Sequence, residues 1–444
     1  MRLMLSLAAA ALAAAGLAAE RAAHGPDLQA VDAPARAIGG PNGTLVGAEE
    51  FGGRGRLLRL RPETLRAAPG SLLLRDDFVW DHALSPDGAR LAVGSGMHNH
   101  IELFDLRRWR SLGTLALPGP HPNGYGGASG LAWVSPRRLL VLAGAPWMGA
   151  GPVVVDPIAQ RVVRRSRWRG APLRWETAGG RLVFLAAPSG EPGSGPGPAR
   201  LVRVDASGRL RQLRLKRIAA GSGESGPGPA RDLTPALALD RAGRRAYVVA
   251  AEGQLVAEVD LRSWRLEYHE LSEPTTAWQR LRDLIEAPAH AKGEPMNVVT
   301  REAEVLANGA IAVTGEDWPA TESQHRFDPV PFGVRLIDPA TWTVQTVDGD
   351  AQGFDIAGGM LLARRWSMGD DGLPGIGLRA YDSSGELRFA RFEGADTIVR
   401  GAAGRRVYVE VKRRGGARSI HVLELATGRT VRVLPWREMR VLGE

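Results

Sequence analysis

The sequence predicts an all-β chain that closes as a single β-propeller of eight four-stranded blades, with seven as the alternative, plus one short helical insertion. Three observations predict it: a strand-turn-strand unit recurs along the whole length, glycine and proline are in excess, and only one segment of the mature chain reads convincingly as a helix. The chain has 56 glycines and 30 prolines in 444 residues, which supplies many turns without reaching low-complexity composition. Apolar residues make up 44% and charged residues 24%, so a large core is available and a disordered chain is excluded. No internal apolar run approaches the roughly 18 residues of a membrane span. Such a length ordinarily implies two to four domains, but a ring of seven or eight blades takes up roughly 400 residues as one.

The N-terminus reads Met1-Arg2, then an apolar stretch from Leu3 to Ala19, then Glu20-Arg21. A basic start, a short apolar region, and Gly16 and Ala18 at the cut site define a secretory signal over 1–19, with an uncleaved anchor as the alternative. Residues 20–33 read as a linker and 34–444 as the propeller. The mature protein is expected to begin near Ala19 or Glu20, outside the cytoplasm, with no transmembrane span after signal removal. Without cysteine there is no disulfide, thiolate metal site, lipoprotein anchor or CxxCH haem attachment.

The clearest repeat runs from Trp80 to Val93 and from Ile101 to Leu112, as strand, Asp87-Gly88 turn, strand, loop, strand, polar turn, strand. The outer half recurs at Asp156-Pro157, Asp205-Ala206, Asp260-Leu261, Asp338-Pro339, Tyr381-Asp382 and Glu424-Leu425, with the earliest copy at Leu58 to Leu65. Inner turns recur in step at Asn42-Gly43, Pro136-Arg137, Gly179-Gly180, Ala242-Gly243, Asn308-Gly309, Gly358-Gly359 and Ala403-Gly404. Both halves occur between Ala33 and Leu74, so that segment is expected to form a complete first blade. Trp109, Trp264 and Trp342 share one repeat position and read as packing between neighbouring blades.

Two insertions interrupt the period. Ala187 to Arg200 and Ala219 to Arg231 read as flexible loops flanking one outer hairpin, since Ser194-Gly195-Pro196-Gly197-Pro198 recurs at Ser225-Gly226-Pro227-Gly228-Pro229. In 272–299, Trp278, Leu281 and Ile285 fall at helical spacing after Thr275-Thr276, giving a helix that acts as a clasp over a blade or a lid over the channel.

The phrase Leu84-Ser85-Pro86-Asp87-Gly88-Ala89-Arg90-Leu91-Ala92-Val93 resembles the SPDG-type blade of bacterial periplasmic propellers, the wider group of TolB-like, YVTN-type and lactonase-like repeats within the WD-repeat-like superfamily. His421 to Arg429 is similar to the outer half of the same blade. The resemblance covers 35 to about 436 and implies an extracytoplasmic propeller. It does not choose among enzymes, binding proteins and scaffolds, which all use this architecture.

The net charge of +9 is carried almost wholly by arginine, lysine occurring only at Lys216, Lys292 and Lys412. Its scatter over the whole length reads as a solvated basic surface with salt-dependent affinity for polyanions, and no specific nucleic-acid site is expected. Gly127-Ala128-Ser129-Gly130-Leu131 lacks the last glycine of a nucleophile elbow, and the glycines of 124–130 miss dinucleotide spacing. His98-Asn99-His100 offers two imidazoles to a metal, yet reads better as a solvated hairpin loop. No metal site is assigned.

Ligands of propellers meet the ring where inner strands begin, which nominates Trp80, Asp81, His82, Arg174, Glu176, Arg231, Asp232, Arg301, Glu302, Glu304 and Asp355. Opposite charges from different blades there can hold a polar small molecule or a divalent cation, or pair around a watery channel. The function expected is a monomeric, non-catalytic binding or scaffold module for an extracytoplasmic protein or small molecule, with no cofactor. The alternative is a propeller enzyme, either a metal-dependent lactonase-like hydrolase or a quinoprotein-like dehydrogenase, with its site at the axial channel mouth.

Overall fold

The structure is a computed structural model that describes residues 39–443 apart from 41–43, 50–54, 76–78, 96–97, 119–126, 145–150, 167, 169–171, 189–195, 224–230, 273–296, 319–329, 366–374, 414–415 and 437–438. The expected signal, the linker and the helix at Thr275 to Ile285 lie outside the described residues. Every regular element among the described residues is a β-strand. No helix there is long and apolar enough to cross a membrane.

The chain opens with β1 (Gly39–Gly40), β2 (Thr44–Glu49), β3 (Arg56–Leu60) and β4 (Leu72–Leu73). The next two blades are β5 (Val79–Leu84), β6 (Arg90–Ser95), β7 (His100–Asp105), β8 (Arg110–Ala116), then β9 (Ala128–Ser135), β10 (Arg138–Ala143), β11 (Gly151–Asp156), β12 (Arg161–Arg165). A third consists of β13 (Pro172–Ala178), β14 (Arg181–Ala186), β15 (Gly197–Val204) and β16 (Leu210–Gly223). After β17 (Arg231–Thr234) comes the fourth, β18 (Ala236–Leu239), β19 (Arg245–Val249), β20 (Leu255–Asp260) and β21 (Leu266–Glu270). Then follow β22 (Asn297–Val305), β23 (Ile311–Trp318), β24 (Val330–Pro331), β25 (Val334–Ile337) and β26 (Val344–Asp348). The last two blades are β27 (Gly353–Ala357), β28 (Met360–Arg364), β29 (Leu378–Tyr381), β30 (Leu387–Arg391), and β31 (Asp396–Ala403), β32 (Arg406–Lys412), β33 (Arg418–Glu424), β34 (Thr430–Pro435), before the terminal β35 (Met439–Gly443).

The expectation of eight blades, or seven, is corrected: among the described residues the propeller has six blades of four strands each, every one a consecutive antiparallel meander, five of them separate sheets and the sixth, β13 to β16, the first part of a larger one. The other strands are tied into larger sheets. Strands β1 to β4 join β35 in a five-stranded sheet, while β17 and β22 to β26 continue from β16 in a ten-stranded one. The physical reason is that a turn signal marks a hairpin, whereas sheet membership depends on long-range ladders. One such ladder is the parallel pairing of β17 with β22, Arg231 opposite Asn297.

The first sheet takes four consecutive strands, β1 to β4, from between Ala33 and Leu74, and the C-terminal β35 is added to them. Its inner edge is made jointly by β1, with Gly39 opposite Leu45, and by β35, with Gly443 opposite Val46 and Met439 opposite Glu49. The loop reading of the first insertion changes as well. Strands β15 and β16 extend into it, pairing Gly197 with Ala220, and the end of β16 then pairs with β17, Gly223 opposite Arg231.

The core lies between sheets and follows from strand alternation. In β10, Leu139 and Val141 pack toward Ile101 and Leu103 of one neighbour, while Leu140 and Leu142 pack toward Leu182 and Phe184 of the other. Both faces are buried, so these strands read as continuous apolar runs. The series closes where Leu45 and Leu58 meet Tyr408, Ile420 and Val422.

Turn chemistry explains the repeat. Ser85 Oγ donates to Asp87 Oδ1 at 2.6 Å and accepts from Arg90 N at 2.9 Å, while Gly88, at φ 66°, closes the turn onto Ser85 O at 2.8 Å. In the outer turn Asp260 Oδ1 accepts from Ser263 N at 2.6 Å and Arg262 N at 2.9 Å. Such bonds, from the Ser85 hydroxyl to Asp87, Ala159 N to Asp156, Ser263 N to Asp260, the Ser384 hydroxyl to Asp382 and the Thr427 hydroxyl to Glu424, hold these carboxyls below their ordinary range. A carboxyl depressed on folding contributes stability above its unfolded pKa of about 4, lost as pH falls through the folded value. Thermal unfolding followed from pH 7 to 2.5 is therefore expected to show a Tm that declines below about pH 4; a flat or rising Tm there would contradict the role given to these turns.

Outer turns also place non-glycine residues in the left-handed region at Leu65, Trp109, Gln160, Trp264, Trp342 and Phe392. Their side chains reach adjacent sheets, which offsets the conformational cost. Trp109 Nε1 donates to Gly70 O at 2.5 Å, Trp264 lies under Arg203 and Arg211, and Trp342 stacks on His269. The three tryptophans therefore pack between blades, as their shared repeat position implies.

Candidate functional site

Inner strands carry most of the nominated residues, and pairing along each ladder determines where their side chains go. Arg174 on β13 and Glu302 on β22 meet at 3.3 Å, although the blade β18 to β21 separates them in sequence. Both remain partly open, with side-chain exposures of 25% and 37%. Asp355 on β27 is held by Arg364 of β28, whose Nε donates to Oδ2 at 2.6 Å and whose Nη2 donates to Oδ1 at 3.4 Å. This pair is buried. Burial works against the charge on Arg364, but Asp355, followed by Glu302 and Glu316, holds its pKa above the ordinary value. Arg174, Glu302, Asp355, Arg364 and Glu316 thus form one electrostatic cluster drawn from β13, β22, β23, β27 and β28.

Two glycines make room for this arrangement. Gly353 stands opposite Arg364 in its ladder, and a Cβ there would lie 3.2 Å from Arg364 Nη1. Gly315 stands opposite Arg301, and a Cβ there would meet Thr300 O at 2.0 Å and Arg301 Cδ at 3.0 Å. Arg301 therefore crosses β23, donating from Nη1 to Asp317 Oδ1 at 2.6 Å while its guanidinium carbon lies 3.9 Å from the Phe332 ring centre. Arg335 lies 4.0 Å from that same ring.

Other nominated residues go elsewhere. Asp81 is buried and ties two blades together, accepting His82 N at 2.7 Å and Leu131 N of β9 at 3.1 Å. Arg231 pairs with Glu252. Burial pushes the Asp232 carboxyl up. His82, Glu176 and Glu304 are partly buried on β5, β13 and β22, and Trp80 lies on β5 with its side chain outside the described residues. The histidine motif divides: His98 is exposed, but His100 opens β7 and is buried, its Nε2 3.9 Å from Glu102 Oε1. A wholly solvated loop is thus corrected for His100, which the β7 ladder draws into the sheet.

Arg364 and Glu316 were not nominated. Glu316 is buried and accepts from Trp318 Nε1 at 2.9 Å. The available signal was a charge at or near the end of an apolar second strand, as in Met360-Leu361-Leu362-Ala363-Arg364 and Ile311-Ala312-Val313-Thr314-Gly315-Glu316.

Among solved structures the chain is similar to the dihydro-heme d1 dehydrogenase NirN in complex with DHE, with a TM-score of 0.56 and 12% identity over 94% of this chain and 79% of that one. It is also similar to AztD from Citrobacter koseri, with a TM-score of 0.51 and 10% identity over 90% of this chain and 97% of that one. The apo form of AztD gives a TM-score of 0.51 at 9% identity. At these identities the likeness establishes a β-propeller fold. No protein-family model matches the chain, and no curated protein matches it by sequence.

Proposed function

We propose that this propeller is a non-catalytic binding module, acting outside the cytoplasm as a monomer, that takes a small polar ligand at the axial cluster. The observation that carries the reading is the Arg174 and Glu302 pair, two partly open, opposite charges from β13 and β22, strands far apart in sequence, meeting at 3.3 Å. An incoming carboxylate can replace Glu302 at the Arg174 fork, while a hydroxyl or amine of the same ligand engages the released Glu302. Behind them the buried Asp355 and Arg364 pair supplies a fixed wall whose charge needs no rearrangement on binding. The ligand class is therefore a hydroxy acid or amino acid rather than a neutral apolar molecule. The extracytoplasmic setting rests on the Met1 to Ala19 stretch, and binding at an inner-strand surface leaves the outer strands available to a protein partner.

A thermal-shift screen of hydroxy acids, amino acids and neutral polyols tests the reading. A carboxylate-bearing hit is expected, and the double variant Arg174→Ala, Glu302→Gln should lose its shift at a stability cost of about 1 kcal/mol or less for partly wet charges. A hit whose shift survives in that variant, or one given by neutral polyols alone, would overturn it.

A further inference from the structure

A second constellation lies away from the axis, on the outer half of the blade β18 to β21. Glu258 on β20 stands directly opposite Glu267 on β21, and His269 is two residues further along β21, so all three side chains project from one face. Two carboxylates directly opposite each other repel unless cations hold them apart. Here each carboxylate is divided between two partners. Arg245 Nη1 holds Glu258 Oε1 at 2.8 Å, and Arg265 pairs with Glu267 Oε1. The other oxygens turn inward, Glu258 Oε2 at 3.2 Å and Glu267 Oε2 at 3.9 Å from His269 Nε2.

From this geometry we propose that Glu258 Oε2, Glu267 Oε2 and His269 Nε2 form a site for a divalent transition-metal ion, Zn2+ in the first instance. One ligand atom from each of the three residues lies within 4.8 Å of the others. Tetrahedral ligands at about 2.1 Å from zinc stand about 3.4 Å apart, which falls between the two distances from His269 Nε2, so the histidine already suits both carboxylates and rotation of the Glu267 side chain can close the set. One nitrogen and two carboxylate oxygens select zinc, cobalt or nickel over calcium and magnesium, which favour all-oxygen shells.

The supporting shell is already in place. Trp342, from the turn between β25 and β26, stacks on the imidazole at 3.7 Å between ring centres and 8° between planes, which fixes the direction of Nε2. The two arginines orient the carboxylates by their outer oxygens. Glu258 and His269 are largely covered, with side-chain exposures of 17% and 18%, whereas Glu267 at 41% leaves a side open for a water ligand. The competing arrangement is the hydrogen bond between His269 Nε2 and Glu258 Oε2 at 3.2 Å with no metal. Because the site shares no residue with the axial cluster, it stands whether or not the ligand reading above holds.

The test uses the full chain, stripped with chelator and titrated with Zn2+ and Co2+ by calorimetry near pH 7. About one equivalent should bind at this site, with a visible Co2+ spectrum of low coordination number and no comparable heat from Mg2+. Affinity should fall at least about tenfold in His269→Gln, which keeps a planar polar side chain against Trp342, and in Glu258→Gln, while Arg174→Ala, Glu302→Gln binds as the parent does. Circular dichroism shows whether each variant is folded. Absence of Zn2+ binding by the folded parent, or Zn2+ binding undiminished in folded His269→Gln and Glu258→Gln, would overturn the proposal.

Discussion

A chain lacking residues 439–444 is expected to lose cooperative unfolding or to fall sharply in Tm, because Met439–Gly443 completes the inner edge of the first sheet on β2. The closing ladder joins Val46, Gly47, Ala48 and Glu49 to the C-terminal strand. At about 1 kcal/mol for each net hydrogen bond, its loss costs about 4 kcal/mol before any exposure of the neighbouring core is added. The geometry supplies a rescue. Gly443 opposes Val46 and Gly39 opposes Leu45, so β35 and β1 run end to end along the same edge of β2. Placing residues 439–443 immediately before Gly39, in a chain that ends at 438, should restore most of the lost stability. Equal Tm values for the parent and the truncated chain would show that the ring closes without this ladder.

Asp355→Ala is expected to destabilise the fold by about 3 kcal/mol, the low end of the range for breaking a buried ion pair, because Glu302 and Glu316 also act on Arg364. Asp355→Asn should cost less, since its amide oxygen still accepts from the guanidinium. Replacing both members, Asp355→Leu with Arg364→Met, should recover much of the loss, because no buried charge then lacks a counter-charge. Urea unfolding of these variants measures the coupling. A cost below about 1 kcal/mol for Asp355→Ala would mean that water reaches Arg364 and that the pair forms no rigid wall for a ligand.

The repeated turns were legible because their chemistry is local. Ser85-Pro86-Asp87-Gly88 closes on itself within six residues, and Asp260 captures the amides of Arg262 and Ser263. The tryptophan positions could likewise be read from spacing alone. Part of the candidate site was visible too, since Arg174, Glu302 and Asp355 begin or occupy inner strands. Arg364 and Glu316 were hidden because they follow apolar runs on second strands, and such a run masks the charge after it. The cluster of Glu258, Glu267 and His269 was hidden for another reason: Glu258 and His269 are eleven residues apart and meet only through the β20 and β21 register.

By itself the sequence determined an all-β propeller and the position of its hairpins, because each depends on side chains a few residues apart. Only the tertiary structure decided how many four-stranded blades those hairpins make, which chain segment completes the first sheet, and which charges meet. Those outcomes depend on ladders between residues as distant as Val46 and Gly443 and on backbone room opposite Arg301 and Arg364. Hydrogen bonds between strands are made by backbone groups common to every residue, so a local motif signals a strand but does not name its partner.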